Sequence, residues 1–562
     1  MADCNQFITR DKQKLYNLNV KKNIFFLLII LIFSVLGLSA LLHPGLYSAH
    51  DIWHHVARLY HYQKAVFEGT FPPYWIGTLA GGLGYPLFIY SYTFPFLLGV
   101  AFLALGINLF NVLKLLFFLS YFASGVFMYC LVNSMYKNRM AGALAAILYL
   151  WVPYHFVTIL VAASISIAFA FTFIPLLLWG IYLLSQEKTK PGMIFTALGL
   201  AGIILSQLQA IIPLLPLLFF FFVAMLLNSK NRKGFIIGIL LSLFLGLGLS
   251  AFYLLPAFYY KGFALGYGEI YQKGFIDLKQ LIYSKWGYGI INNSAKEGAF
   301  SFQLGIAQWL IVIGSTVSLF IKRVSKKEKL TTILLLTGFA VSVFMLLDIS
   351  GPVWALLARY TPVNYPYRYM LTAVFISSFL AGYLYTKLGK KTGIIFAIGI
   401  ILVTLFTNRN HLKVNMYTDY SLKEYVEAEG TTSTYHEFWP KWADLSLLAK
   451  PVGSPVDNPE IKIKDFVQKE NDLAFTATTP KNQGVTINHL AFPGITLYLD
   501  SQKTNYIRTK DGRILADITK GEHKILVRFE NTPAIRLGEV ISLISLLTLI
   551  LIVVIKKQLF YH

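Results

Sequence analysis

The chain has 562 residues, of which 56% are hydrophobic and 14% are charged, and its formal net charge is +22. Repeated apolar runs of about 18–22 residues have the length of helices that cross a hydrocarbon core about 30 Å thick, which excludes a soluble protein. The positive charge does not indicate nucleic-acid binding, because the basic residues form short clusters between apolar runs instead of one contiguous face. Cys4 and Cys130 are too few for a disulfide framework or a zinc site.

The first apolar run, residues 24–42, follows a long polar amino end, and no small-residue cleavage site comes after it. We therefore expect a retained first span instead of a signal peptide. Basic clusters such as "SKNRK" and "KRVSKKEK" separate the later runs, and cations beside membrane helices stay in the cytoplasm. Placing these clusters inside predicts cytoplasmic termini and twelve spans, at 24–42, 112–133, 141–155, 164–184, 193–207, 210–227, 235–255, 303–321, 331–347, 369–386, 393–407 and 536–555.

One apolar run, "LFIYSYTFPFLLGVAFLALG" (87–106), is left over. A full crossing there would reverse the topology of everything that follows. Pro95 and the aromatic residues of this run favour a juxtamembrane or re-entrant element instead. We therefore predict a transmembrane domain over 1–407 with outer loops at 43–110 and 256–302, and a final span with a cytoplasmic tail over 536–562.

The segment 408–535 differs in composition, because its 16 basic and 16 acidic residues cancel. "GITLYLD" and "HKILVRFEN" alternate apolar with polar residues and are punctuated by the turn signals "TKDGR" and "TKGEH", which is typical of antiparallel strands. "SLKEYVEAEG" (421–430) predicts a short helix. The predicted fold class is a polytopic α-helical membrane protein of about 12 spans, with a small, mostly β-sandwich extracytoplasmic domain at 408–535 before the last span.

The stretch "SAHDIWHHVARLYHYQ" (48–63) places an acid shortly after the first span. Its apolar residues Ile52, Val56 and Leu59 fall on one face of a helix, which predicts an amphipathic helix along the membrane interface. Asp51 then lies at the amino end of this helix, where Asp is a frequent N-cap. A reactive carboxylate is the alternative interpretation, and the two are compatible.

Four histidines lie in the same stretch, but they do not form a metal motif such as HExxH. Interfacial polar residues that tolerate lipid headgroups are the favoured interpretation of His54 and His61. His50, next to Asp51, is kept as a candidate partner of the carboxylate.

Four segments carry a resemblance to a known family. The first is the segment 41–96, with its early acid, its "G-x-FPP-x-W" turn and its "GYPLF" sequence. It resembles the first outer loop of YfhO-like membrane proteins, and "NYPYRYM" (364–370) and "YHEFWPKWA" (435–443) are similar to later elements of that family. With 490–547 the likeness covers most of the chain in order. The family belongs to the GT-C superfamily of polyprenyl-phosphate-dependent glycosyltransferases, whose members share a scaffold and differ in sugar and acceptor.

The resemblance implies a multi-pass plasma-membrane enzyme. It would transfer a sugar from a polyprenyl-phosphate donor to an envelope acceptor (a glycan, a teichoic-acid-like polymer, a lipid or a protein) on the outer face. Asp51 matches the family's first-loop acid, which acts as general base or binds a metal. Arg368 would hold the lipid-linked phosphate by its fork of donors, and a snorkelling interfacial arginine is the alternative. Arg58 and Arg359 are further phosphate-binding candidates.

Trp75, Tyr85 and Trp286 offer faces for stacking on a sugar, although chance placement is common in a chain with 16% aromatic residues. Glu269, Asp277 and Glu297 are reserve acids. The first loop has no Asp-x-Asp or Glu-x-Asp pair. A divalent cation, Mg²⁺ or Mn²⁺, is therefore left open as a cofactor.

Two other classes of protein are alternatives. A lipid or glycan transporter predicts charged residues in mid-span or two similar halves, and neither is visible. A non-catalytic envelope-assembly protein on the same scaffold is not excluded by the sequence. The expected partners are the lipid-linked donor, membrane lipids and the acceptor.

Overall fold

Apolar helices make up most of the chain. The computed structural model describes residues 21–266, 272, 274–289, 300–321, 324–359, 365–449 and 453–554. The α-helices of this part are α1 (21–37), α2 (Ile52–Phe67), α3 (Leu87–Tyr90), α4 (Phe94–Ala104), α5 (Leu109–Tyr136), α6 (Arg139–Leu150), α7 (Pro153–Phe156), α8 (Ile165–Ser185), α9 (Thr189–Gln207), α10 (Ile211–Asn228), α11 (Arg232–Leu249), α12 (Ala251–Tyr260), α13 (Leu278–Ile282), α14 (Ile306–Ser318), α15 (Lys326–Leu346), α16 (Gly351–Ala358), α17 (Met370–Lys387), α18 (Lys390–Asn408), α19 (Leu422–Glu427) and α20 (Pro533–Val554).

Among the described residues, eight helical segments are long and apolar enough to cross a membrane. The bent pair Arg139–Leu150 and Pro153–Val161 adds a ninth if it counts as one span. The protein is therefore an integral membrane protein, and the number of twelve spans and its topology stay predictions. The eight segments are Leu109–Tyr136, Ile165–Ser185, Thr189–Asn228, Arg232–Leu249, Lys326–Leu346, Pro366–Lys387, Lys390–Leu412 and Pro533–Val554.

Among the described helices, α4 and α14 are apolar but shorter than a span. α4, inside the leftover run 87–106, has 11 residues, and α14, inside the predicted span 303–321, has 13. A transmembrane helix needs about 20 residues, so neither crosses the hydrocarbon core as a single straight helix.

The described residues divide into two compact units. Unit 1 comprises Met1–His50, Lys114–Phe244 and Ile270–Thr418, and unit 2 comprises Asp51–Leu113, Leu245–Glu269 and Asp419–His562. Each unit is thus built from three separate stretches of chain.

The centre of unit 1 is α17, whose side chains are buried without interruption from Met370 to Tyr385. α8 and α9 pack against each other through glycines. A Cβ added at Gly199 would lie 2.6 Å from the Leu177 backbone, and one at Gly180 would lie 2.3 Å from the Thr196 backbone. Small residues of this kind let membrane helices approach closely.

Unit 2 contains the β-rich carboxyl-terminal region, which confirms the prediction of a mainly β domain before the last span. One sheet has the strand order β3-β4-β10-β6-β7 and the other β5-β9-β8, and all of their pairs are antiparallel. The short pair β1–β2 belongs to unit 1. The strands are β1 (Leu46–Tyr47), β2 (Tyr417–Thr418), β3 (Lys462–Gln468), β4 (Asp472–Thr479), β5 (Gln483–Leu490), β6 (Ile495–Leu499), β7 (Gln502–Thr504), β8 (Ile507–Arg508), β9 (Arg513–Ile518) and β10 (Gly521–Phe529).

The runs that alternate apolar with polar residues in the sequence form strands, because their apolar side chains are buried on one side of the strand. In β10 the residues Ile525, Val527 and Phe529 are buried, and the side chains between them are more exposed. The predicted short helix is α19, which begins with a capping box formed by Ser421 and Glu424.

Candidate functional site

The polar residues of α2 form a line along the helix. Asp51, His54, Arg58 and His61 follow one another at intervals of three or four residues, which places their side chains on one face of an α-helix. We call this line the α2 polar stripe. The apolar residues Ile52, Val56 and Leu59 are buried, as the amphipathic pattern predicts.

Asp51 occupies the N-cap position of α2, but its side chain makes no capping hydrogen bond. The carboxylate is half-buried and has no hydrogen bond or ion pair with any residue in the described part of the chain. Only its backbone carbonyl is engaged, because it accepts a hydrogen bond from the backbone N–H of His55 at 3.1 Å. The carboxylate is therefore available for a ligand.

The next two residues of the stripe bind the loop that follows α19. His54 Nδ1 lies 2.7 Å from Glu429 Oε2. Arg58 is 7% exposed, and its Nη2 donates to the Thr432 carbonyl oxygen at 2.5 Å while its Nε donates to Thr432 Oγ1 at 3.1 Å. Its Nη1 donates to Ser91 Oγ at 3.2 Å. A phosphate would have to displace these acceptors, so Arg58 fixes the loop.

His61, the last residue of the stripe, binds a buried carboxylate. Its Nδ1 lies 3.1 Å from Glu470 Oε1, Lys64 Nζ lies 3.2 Å from the same oxygen, and Thr78 Oγ1 donates to Glu470 Oε2 at 2.5 Å. Burial raises the pKa of the Glu470 carboxyl, but the hydrogen bonds and charges of these three partners bring its pKa below its usual value. His61 is 4% exposed, so the interpretation that it faces lipid headgroups is wrong.

Trp75 and Tyr85 are core residues of unit 2 and are both fully buried. The Trp75 ring lies between those of His489 and Phe529, at centroid distances of 5.3 and 5.9 Å. The hydroxyl of Tyr85 accepts the backbone N–H of Phe438 at 3.2 Å. Side chains of the protein itself therefore cover the faces that were predicted to stack on a sugar.

His50 lies in unit 1, and its imidazole hydrogen-bonds to the backbone rather than to an acid. Its Nε2 donates to the Tyr288 carbonyl oxygen at 2.9 Å, and its ring centroid is 5.7 Å from that of Phe300. Phe300, Phe302 and Tyr367 form a cluster with centroid distances of 5.2–5.8 Å. Tyr367 of this aromatic cluster is the residue directly before Arg368 in the chain.

Arg368 lies beside a break between two apolar helices. α9 ends at Gln207, whose backbone has φ −161° and ψ 84°, and a 3₁₀ turn over Leu208–Ala210 leads into α10. Arg368 Nη1 donates to Gln209 Oε1 at 2.7 Å, and the Gln207 amide oxygen lies 3.2 Å from Nη2 when its amide is oriented to accept. The Nε of Arg368 is buried and has no partner in the described part of the chain. Among the described residues the guanidinium is therefore held by neutral groups, and no acid of this part of the chain neutralises its charge.

The remaining candidates are Arg359 and the three reserve acids. Arg359 is exposed at the end of α16. Asp277 forms a capping box with Gln280 at the start of α13. Glu269 and Glu297 lie outside the described residues.

A divalent cation needs several oxygen or nitrogen ligands in one place. Within the described ranges, no group of three or more His, Cys, Asp or Glu side chains is arranged to hold a metal. The described residues around Asp51 therefore supply no such group of ligands, and a Mg²⁺ or Mn²⁺ ion stays a prediction.

Comparison with known proteins gives limited similarity. No family model matches the sequence. An uncharacterized protein of Lactococcus lactis subsp. cremoris (strain MG1363) is 26% identical over 248 residues, which are 42% of this chain and 40% of that protein. The chain thus matches less than half the length of this curated relative.

Three solved structures are similar to part of the chain. The mycobacterial arabinofuranosyltransferase AftD is 13% identical, with a TM-score of 0.46 over 69% of this chain and 27% of AftD. ArnT from Cupriavidus metallidurans bound to undecaprenyl phosphate is 13% identical, with a TM-score of 0.39 over 68% of this chain and 63% of ArnT. The apo oligosaccharyltransferase of Archaeoglobus fulgidus is 12% identical, with a TM-score of 0.47 over 75% of this chain and 61% of that enzyme. Similarity of this degree assigns no function.

The sequence alone did not indicate which residues hydrogen-bond to the side chains of the α2 polar stripe and to Arg368. Glu470 and Glu429 lie in polar loops, where acids are common, and Gln207 and Gln209 are neutral residues between apolar runs. The glutamines did carry a signal, because two amide side chains between apolar helices need hydrogen-bond partners. Nothing in the sequence named Arg368 as that partner.

Proposed function

We propose that the protein is a membrane glycosyltransferase that uses a polyprenyl-phosphate-linked sugar to modify an acceptor of the cell envelope. The acceptor hydroxyl oxygen bonds to the anomeric carbon, and the bond from that carbon to the phosphate oxygen breaks. Polyprenyl phosphate leaves with the bonding electrons, and the Asp51 carboxylate takes the proton of the hydroxyl.

The observation that carries this proposal is the unpaired carboxylate of Asp51. The three other residues of the α2 polar stripe hydrogen-bond to side chains or backbone of unit 2. Asp51 lies at the amino end of the same stripe, and its side chain has no hydrogen-bond or ion-pair partner among the described residues. A base must have a free lone pair, and Asp51 is the member of the stripe that meets this condition.

Arg368 supports the second part of the proposal, which is binding of the donor phosphate. Its guanidinium is half-buried and carries a charge that Gln207 and Gln209 orient without neutralising. A phosphate gains charge-assisted, bidentate hydrogen bonds from such a group, and a partly dry environment strengthens them. The snorkelling interpretation does not require the two glutamines.

Transfer of a radiolabelled sugar in proteoliposomes tests the proposal. Purified full-length protein would be supplied with a panel of polyprenyl-phosphate sugars and with envelope acceptor fractions. We expect label to move from the lipid-linked donor to one acceptor fraction, with release of unlabelled polyprenyl phosphate. Label that crosses the bilayer still attached to the lipid would instead support a transporter. Label that stays on the donor with folded protein would contradict the proposal and leave an assembly protein.

A further inference from the structure

Two buried ring nitrogens without a hydrogen-bond partner among the described residues belong to neighbouring rings of unit 1, those of Trp286 and His411. The rings of Trp286 and His411 have centroids 4.4 Å apart and planes tilted by 35°. His411 is 4% exposed. Nε1 of Trp286 and Nδ1 of His411 are both buried, and neither has a hydrogen-bond partner in the part of the chain that the structure describes.

The hydrogen bonds of Gln303 determine which nitrogen of His411 carries the proton. The backbone N–H of Ser284 donates to Gln303 Oε1 at 3.4 Å, which directs the NH₂ group of this amide toward His411. Gln303 Nε2 lies 2.8 Å from His411 Nε2, so Nε2 is the acceptor of that hydrogen bond. A neutral imidazole has one proton, which must then be on Nδ1. The unpartnered Nδ1 is therefore a donor, like the indole nitrogen beside it.

A buried donor without an acceptor is unfavourable, and native proteins rarely leave one. Trp309 shows the usual arrangement, because its Nε1 donates to the Leu281 carbonyl oxygen at 3.1 Å. Two such donors in ring contact indicate a place for acceptor oxygens that the described residues do not supply.

The charged residues nearest in sequence to the two rings are basic. Lys285 and Lys413 are exposed, and so is Arg409. The chain has no Asp or Glu in 278–296 or in 349–418, which include both rings. The hydroxyl of Tyr288 donates to the Lys413 carbonyl oxygen at 2.9 Å and holds these two segments together.

We propose that Trp286 and His411 bind the oxygens of a phosphate group through their two N–H donors. His411 lies in the 3₁₀ turn Arg409–Leu412 that follows α18, at the end of an apolar segment of span length, which is the depth at which lipid headgroups lie. Soluble inorganic phosphate presents the same oxygens. This site uses no residue of the transfer mechanism above and does not depend on glycosyl transfer.

Nuclear magnetic resonance of the full-length protein in detergent, labelled with ¹⁵N in its tryptophan indoles, tests the proposal. The chain has nine tryptophans, and Trp286→Phe identifies the Trp286 signal by removing the N–H while keeping a ring. The probes are inorganic phosphate, phosphatidic acid, and a diacylglycerol with the same acyl chains but no phosphate. We expect a saturable downfield shift of the Trp286 indole proton with phosphatidic acid and none with diacylglycerol.

The result with inorganic phosphate distinguishes the sources. An equal response to it would assign the site to phosphate itself, and a response to phosphatidic acid alone would assign it to a headgroup. His411→Phe keeps a ring but has no N–H, so it should weaken the binding about tenfold, the usual effect of losing one hydrogen bond to a charged group. Trp309→Phe is the matched control and should leave the titration unchanged.

Three results would overturn the proposal. One is a Trp286 signal that does not move with either phosphate-containing probe, as expected if water fills the space. Another is an equal shift with diacylglycerol, and the third is unchanged affinity in a folded His411→Phe protein. The wild-type titration decides the matter even if a variant does not fold.

Discussion

Asp51 and the other residues of the α2 polar stripe lie on one face of the same helix but have different roles. His54, Arg58 and His61 contact the loop after α19 and the turn between β3 and β4. Their hydrogen bonds attach these segments to α2. Asp51 lies at the amino end of the same stripe and does not contribute to this attachment. Its substitution therefore tests activity without loss of a contact that stabilises the fold.

Asp51→Asn is the direct test of the general base. Asn caps helices about as well as Asp, and the wild-type side chain makes no cap bond, so we expect unchanged stability. Because the amide cannot take a proton, we expect transfer to fall by about 100-fold or more. Proteoliposome transfer and thermal unfolding are measured on the same preparation.

Asp277→Asn is the matched variant, because Asp277 is also an acid at the start of a helix but belongs to a capping box. It should retain transfer. Near-normal transfer by a folded Asp51→Asn protein would remove Asp51 from the mechanism and make Glu269 and Glu297 the next acids to test.

Arg368→Lys tests the phosphate group of the donor. Lysine keeps the charge but lacks the planar fork that Gln207 and Gln209 orient, so bidentate contact is lost. We expect the donor concentration for half-maximal transfer to rise about tenfold or more, with a smaller change in the maximal rate. Arg359→Lys, at an exposed position, is the control and should change neither quantity. Unchanged donor dependence in Arg368→Lys would favour a snorkelling arginine.

Glu470→Gln tests the buried hydrogen-bonded group at the end of the stripe. The amide leaves His61 and Lys64 without their carboxylate, and loss of one partner of a buried pair costs about 3 kcal/mol of stability. We expect a lower unfolding temperature in detergent. Glu522→Gln removes the exposed pair with Lys464, 3.6 Å apart, and should have no measurable effect.

The pH dependence of stability follows from the direction of the Glu470 shift. Its pKa is lower in the folded state than in the unfolded chain, so its contribution is complete above the unfolded value of about 4.3. The contribution is lost as the pH falls through the lower folded-state pKa. The difference in unfolding temperature between wild type and Glu470→Gln should therefore shrink at acidic pH. A constant difference would contradict the role of the carboxylate charge.

At the scale of elements, the hydrophobic pattern and the packing carry different information. The periodicity of 52–65 predicts a helix, and α2 covers Ile52–Phe67. Alternation in the carboxyl-terminal region predicts strands, which are β6 and β10. The approach of α8 to α9 depends instead on the absence of side chains at Gly180 and Gly199, and periodicity does not report which helix faces them.

Gly199→Ala tests this close contact. The added methyl group would lie 2.6 Å from the Leu177 Cα, a backbone atom that cannot turn away. We expect a loss of about 1–3 kcal/mol, the usual range for overpacking, seen as a lower unfolding temperature in detergent. Gly399→Ala in α18 meets nothing within 4 Å and should be neutral or slightly stabilising because alanine favours the helix. Equal effects of the two substitutions would contradict a special role of the α8–α9 contact.

At the scale of the whole molecule, eight apolar segments in the described chain make this an integral membrane protein. Their orientation rests on the basic clusters, because lysine and arginine beside a span are retained in the cytoplasm. The predicted outer location of 43–110 and 408–535 depends on the run 87–106, whose helix α4 has 11 residues.

Cysteine labelling tests this topology. In a background of Cys4→Ser and Cys130→Ser, single variants Ser48→Cys and Ser501→Cys should both react with a membrane-impermeant thiol reagent in intact cells. Both positions are then on the outer side, as the predicted parity requires. Labelling of only one of them would show that the chain crosses the membrane once more between these positions than predicted.

The sequence by itself determines what depends on neighbouring residues. An apolar run of about 20 residues must satisfy its own backbone inside a membrane, so a helix follows wherever such a run occurs. Asp51 and Arg368 are visible as candidates because each lies in a recognisable local motif. The tertiary structure decides their surroundings, since His61 meets Glu470 across 409 residues and Arg368 meets Gln209 across 159. Hydrogen bonds between groups so far apart depend on how the helices and strands pack, and no local pattern records that packing.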